Sequence, residues 1–165
     1  MMGKTHLVGG MALGLATSQA VGAGSDPAFF IAVAAGSLLP DICHPSSKMG
    51  RKLPGVSHLI NLIFGHRTFT HSLLFLILVS GLLYYFAGYA ITAGMLIGMA
   101  SHVLLDACTN SGVALFFPFK VKVRLPVTIQ TGGIAENFVF ASLVVVAGYL
   151  GYNEIAPFIQ ELRFL

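Results

Sequence analysis

Charge is what this sequence most lacks. Asp, Glu, Lys and Arg make up 9% of its 165 residues, against about 25% in an ordinary soluble domain. So few charges cannot coat the surface of a water-soluble protein of this size. Hydrophobic residues reach 56% and the mean hydropathy is +0.84, so the natural solvent for the remainder is lipid. Tryptophan is absent, the net charge is only +3, and no basic run is interleaved with aromatics. That excludes the basic stripe of a nucleic-acid-binding protein. Cysteine is scarce too: Cys43 and Cys108 form no C-x-x-C pair and no disulfide framework, so reduced thiols are expected. The chain contains no internal repeat and no low-complexity tract, and its length suits a single domain, residues 1–165.

Long apolar runs are abundant. Five stand out, at about residues 7–22, 27–39, 72–88, 89–106 and 134–151. The first carries Gly10-x-x-x-Gly14 and the fourth Gly94-x-x-x-Gly98, a spacing that lets helix backbones approach closely in lipid. Ser25 or Asp26 is placed to cap the second, which at 13 residues is short for a span of about 20. Lys4 and Ser18-Gln19-Ala20 give the first run some likeness to a cleaved signal. Cleavage would discard His6, and another apolar run follows at once, so an uncleaved membrane helix is expected. The predicted fold is all-α: a polytopic membrane bundle of about five helices, with long polar loops over residues 41–70 and 108–133. Residues 119–125 (Phe-Lys-Val-Lys-Val-Arg-Leu) alternate with a strand period, which predicts a short β-ribbon at the membrane surface.

Five crossings put the N-terminus and both long loops on one side. Eight of the nine basic residues then lie there and only Arg163 lies opposite. Basic residues in short loops stay cytoplasmic, so the N-terminus is expected inside a multi-pass cell-membrane protein. The same side collects His6, Asp41, His44, His58, His66, His71, His102, Asp106 and Glu136.

The sharpest pair is Ser101-His102-x-x-x-Asp106, whose imidazole and carboxylate share a helix face. An Asp in an apolar helix costs about 2.5–3.5 kcal/mol near the bilayer centre, and a divalent metal would offset that. A structural His–Asp hydrogen bond closing the helix end is the alternative. Gly65-His66-Arg67-Thr68-Phe69-Thr70-His71-Ser72 brings two histidines and a guanidinium fork to the start of the third run, with Thr68 or Thr70 as possible N-cap. Pro40-Asp41-Ile42-Cys43-His44-Pro45 offers a carboxylate and an imidazole in a turn, and its Cys43 reads as a small buried hydrophobe or a soft ligand. His6 adds a further potential ligand, whereas His58 reads as an ordinary interfacial residue. Glu136, after Gly132-Gly133, suits a general base or a dipole-stabilised helix start.

Taken in order, Thr5-His6, Leu39-Pro40-Asp41-Ile42-x-His44-Pro45, Gly65-His66-Arg67-x-x-Thr70-His71-Ser72, Ser101-His102-x-x-x-Asp106, and Arg124-Leu125-Pro126 before Glu136 resemble the YdjM-like family of predicted membrane-bound metal-dependent hydrolases. Cys43 stands where that family's Asp-x-Asp-His pattern has its second Asp. The resemblance implies a hydrolase. A more distant likeness of the His-x-x-x-Asp helix to zinc-dependent phospholipase C suggests phosphoester substrates, lipid or otherwise membrane-borne. On this reading His6, Asp41, His44, His66, His71, His102 and Asp106 hold one or more divalent ions, zinc by expectation. Arg67 holds a phosphate oxygen and Glu136 takes or relays the proton. Two other readings remain: a small metal or proton transporter, and a non-enzymatic membrane protein with a structural metal. Transport would spread ionisable groups through the membrane depth, yet residues 73–83 carry none. The sequence specifies neither substrate nor oligomeric state.

Overall fold

The computed structural model describes residues 1–65, 67–119 and 121–162, the side chains of 157–162 aside. It is all-helical. Among the described residues, seven α-helices run in the order α1 (Gly3–Thr17), α2 (Pro27–Gly36), α3 (Lys48–Lys52), α4 (Pro54–Phe64), α5 (Leu73–Ala87), α6 (Tyr89–Ala107) and α7 (Ile134–Leu162), with 3-10 turns at Leu39–Cys43 and Phe69–His71. Asp26 caps α2 by accepting from the Ala28 amide at 2.8 Å, with Pro27 opening the helix. The cap of α5 is Ser72, not Thr68 or Thr70: its hydroxyl accepts from the Phe75 amide at 3.2 Å.

Helix α6 is the hub, packing against α1, α2 and α5, while α7 packs on α1. The α2–α6 approach is backbone to backbone. A Cβ on Gly94 would lie 2.3 Å from the Phe29 carbonyl oxygen, one on Gly98 2.3 Å from that of Val33, and one on Gly36 2.4 Å from that of Met95. No side chain fits there, so the glycines of the fourth apolar run are what lets α2 lie in contact with α6. Below this seam, Leu76, Met99, Val103, Ala107 and Val113 form the buried apolar cluster.

Two helices, α6 and residues Ile134–Ala156 of α7, are long and apolar enough to cross a bilayer. The predicted first, second and third runs give helices of 15, 10 and 15 residues. At 1.5 Å per residue these reach only about 15–22 Å, against about 30 Å of hydrocarbon. Large apolar side chains nevertheless face outward on α5 and α7, with Tyr85 82% and Phe138 72% exposed.

The expected β-ribbon does not form. Among the described residues the 108–133 loop has only isolated bridges, Thr109 with Ile129 and Val113 with Val123. The physical reason lies in its ends and its partners. Pro118 and Pro126 bracket the alternating stretch and remove donors. Leu125 instead donates to the Ala107 carbonyl at 2.9 Å, and Ile129 to that of Cys108 at 2.9 Å, closing the C-terminal end of α6. The other loop, expected over residues 41–70 as a long polar connection, folds into α3 and α4. Gly50 is pressed against the His44 carbonyl, where a Cβ would come within 2.1 Å. Helix α4 shows Val56, Leu59, Leu62 and Ile63 to the outside.

Candidate metal centre

The starts of α1 and α7, the turn before α5 and the ends of α2 and α6 meet at one end of the bundle. Asp41, His71, His102 and Asp106 converge there, each offering a ligand atom, and these four atoms lie within 4.8 Å of one another. His102 and Asp106, one turn apart, present themselves together as the i, i+4 spacing requires. The 3-10 turn Phe69–His71 drops His71 onto them, held from behind by Phe69 packed among Phe64, Phe75 and Phe117. Asp41 arrives from the turn that Pro40 imposes after α2.

Both histidines are oriented by bonds on their far nitrogens. The Ser37 carbonyl lies 2.7 Å from His102 Nδ1, which must therefore carry the proton and donate. Thr70 Oγ1 stands 3.0 Å from His71 Nδ1. Each Nε2 is thereby turned inward, the outer-shell arrangement typical of metal-ligating imidazoles. Burial pushes the His71 imidazole down to about 4, with His102 adding to the effect and Asp106 opposing it, so the ring stays neutral with its lone pair available.

The spacing can be tested against an ion. Ligands bonded at about 2.0–2.1 Å in a tetrahedron stand about 3.3 Å apart. The two Nε2 atoms are 3.2 Å apart, and His71 and His102 Nε2 lie 3.4 and 3.6 Å from Asp106 Oδ2. Asp41 Oδ1 is looser, 3.9 Å from His71 and 3.7 Å from His102. Asp106 Oδ2 is buried and has no hydrogen-bond partner. A bare carboxylate oxygen facing two imidazole nitrogens is costly without a cation between them. The donor set fits a divalent metal.

The other carboxylate oxygen is saturated. Asp106 Oδ1 accepts from the Met1 amino nitrogen and from Arg67 Nη2 at 2.9 Å, and His6 Nε2 lies 3.2 Å away. Arg67 Nη1 also donates to Thr109 at 2.8 Å. Arg67 sits at φ 58°, a left-handed conformation that is unfavourable for a side chain of its size, and its carbonyl accepts from the Ala114 amide at 3.1 Å. Its two terminal nitrogens are thus directed to Asp106 and Thr109.

His6 is fully buried and stacked on His102, with ring centroids 3.6 Å apart and planes 9° apart. It joins the cluster beside the four rather than among them, and neither of its nitrogens makes a hydrogen bond. His44 is exposed, with Ser46 Oγ 2.8 Å from its Nε2, and also lies outside the four. His66 lies outside the described residues. Glu136 is buried but braced: it accepts from the Met2 amide at 2.5 Å, Thr5 Oγ1 at 2.8 Å and the Gly132 amide at 2.6 Å, tying the start of α1 to the start of α7. Cys43 is buried and is not one of the four. The supporting groups Ser37 and Thr109 escaped sequence reasoning, because nothing in a lone Ser or Thr signals which distant imidazole or guanidinium it will face, and Thr70, expected as an N-cap, instead faces the neighbouring His71.

The family model described as YdjM inner membrane protein matches residues 1–158. The uncharacterized protein YvsG of Bacillus subtilis is 46% identical over 154 residues, 92% of this chain and 95% of that protein. The inner membrane protein YdjM of Escherichia coli is 43% identical over 123 residues, 70% of this chain and 63% of that protein. No solved structure matches.

Proposed function

The chain belongs to the YdjM family of inner membrane proteins, hence associates with the lipid bilayer, and on that premise we propose that it is a membrane-bound metal-dependent hydrolase of phosphoesters. One observation carries this reading: Asp106 Oδ2 is buried without a hydrogen bond between two imidazole nitrogens spaced as a tetrahedral ion requires.

The geometry favours catalysis over a purely structural metal. Structural sites close all four positions with protein ligands, whereas catalytic sites hold the ion by three and keep one open. Here His71, His102 and Asp106 are tight and fully buried, while Asp41 is more distant and 18% exposed. The open corner is at Asp41. A bound zinc-type ion there would polarise a phosphoester oxygen and acidify a water. Asp41 would complete the ligand set or face the open position, while Arg67 fixes Asp106 and Glu136 ties the start of α1 to that of α7. Proton relay by Glu136 would require it to exchange one of its three donors for water.

We place the centre at the cytoplasmic face of five crossings with the N-terminus inside. The starts of α1, α5 and α7 and the ends of α2 and α6 share one end of the bundle, as alternating crossings would have them. The short helices fit if the bilayer thins locally. The outward apolar face of α4 suits a helix lying in the interface. A topology test follows: alkaline phosphatase fused after Leu165 is expected to be active, and the same reporter placed within residues 48–52 inactive. The reverse pattern would refute the orientation.

His102→Ala is expected to cut metal content of the purified protein to a small fraction of wild type. It should also abolish hydrolysis of a phosphomonoester or phosphodiester panel. Bound metal without turnover on any ester would move the assignment to a structural metal.

A further inference from the structure

Three of the four converging residues are fully buried, so a substrate can reach the centre only past Asp41. A cavity of about 260 Å³ opens at that point. Asp41, His44, Lys48 and Arg51 are among its polar lining residues, and Leu38 and Met49 among its apolar ones. Lys48 and Arg51 are exposed and form no ion pair among the described residues. They are not loosely placed: Gly50, between them, is pressed against the His44 carbonyl, and Ser47 caps their helix while bonding the Asp41 carbonyl at 2.7 Å. Two cations on an anchored stretch of backbone, without an ion pair among the described residues, therefore stand beside the open corner of the candidate centre.

Resting on the hydrolase reading above, we infer that Lys48 and Arg51 form the anion subsite of this centre and hold the phosphate group of the substrate, a role the sequence pattern gave to Arg67. Arg67 approaches from the other side, and both its terminal nitrogens are engaged by Asp106 and Thr109. A second basic hollow, lined by Arg67, Lys122 and Ser111, includes none of the four converging residues in its lining. The apolar lining residues Leu38 and Met49 give the ester's organic part a surface, whether it is the glycerol end of a lipid or a soluble alcohol.

The test uses the full chain in nanodiscs, loaded with Co²⁺, with inorganic phosphate titrated against the cobalt absorption band. Wild type is expected to show a saturable shift. Lys48→Ala/Arg51→Ala should bind the same cobalt but need at least about tenfold more phosphate, as expected for losing charge-assisted bonds. Lys122→Ala/Arg124→Ala should match wild type. Nanodiscs carrying phosphatidic acid in phosphatidylcholine form a second arm. If that lipid competes with phosphate in wild type, the group held comes from a headgroup; if only free phosphate shifts the band, it comes from a soluble ester. Full cobalt with unchanged phosphate affinity in the double variant overturns the subsite alone, as does cobalt binding without any phosphate response in wild type. Failure of wild type to bind cobalt overturns the metal reading and the subsite with it. Should the double variant lose cobalt, Lys48→Gln and Arg51→Gln measured singly carry the same comparison.

Discussion

Asp106→Asn is expected to empty the metal centre and to destabilise the fold at once. The carboxylate does two jobs with two oxygens. Oδ2 faces His71 and His102 with no hydrogen bond of its own, and Oδ1 neutralises Arg67 and the Met1 amino group. An amide of the same shape supplies neither charge. The ion loses its anionic buried ligand, and affinity should fall by more than the 10–100-fold seen when outer-shell partners are removed. The Arg67 guanidinium, 12% exposed, is left beside the Met1 amino group without a counter-charge. Breaking a buried pair in this way costs about 3–5 kcal/mol. Elemental analysis of purified protein and thermal unfolding in detergent check the two effects separately. Asp41→Asn is the control, expected to weaken metal binding far less, because its oxygen stands further off and is partly solvated. Wild-type metal content in Asp106→Asn would remove the centre from consideration.

The second large effect is expected at Gly98, one helical turn before His102 on α6. A Cβ there would come within 2.3 Å of the Val33 carbonyl oxygen and 2.7 Å of the Ser37 amide nitrogen. Both are backbone atoms of one helix end, so no rotamer change relieves the clash. Gly98→Val must push α2 away from α6, at a cost of about 3 kcal/mol, the upper part of the overpacking range. The displaced segment includes the Ser37 carbonyl that fixes His102. Metal content should therefore fall as well, although Gly98 touches no ligand. Gly148→Ala in α7, where a Cβ meets nothing within 4 Å, should leave both stability and metal content intact. A Gly98→Val protein with an unchanged unfolding temperature would mean that α2 and α6 do not pack this closely.

The helices long enough to bury an apolar face were readable from the pattern, as were Asp26 at the start of α2 and the close-packing glycines of α6. Helices α3 and α4 were not. Lys48, Arg51 and Lys52 fill a five-residue helix with charge, and it exists because Ser47 caps it and Gly50 packs on His44. The alternation over residues 119–125 misled for a complementary reason: periodicity reports which side chains could share a face, not which backbone groups will find a partner. At the site, the His102–Asp106 pair was legible because a helix enforces it. His44 and Glu136 carried equally good chemistry in sequence and ended elsewhere, one in the cavity lining and one as a brace.

What the sequence determined alone is therefore of two kinds. Its low charge and long apolar runs dictated a helical chain for lipid, since such a surface has no other stable solvent. Its i, i+4 histidine and aspartate dictated half of a candidate ligand set. Tertiary packing decided the rest: that His71 and Asp41 converge on that pair, and that Arg67 turns inward to Asp106. These depend on distances between residues 30 to 65 positions apart in the chain, and no local rule of spacing reaches that far.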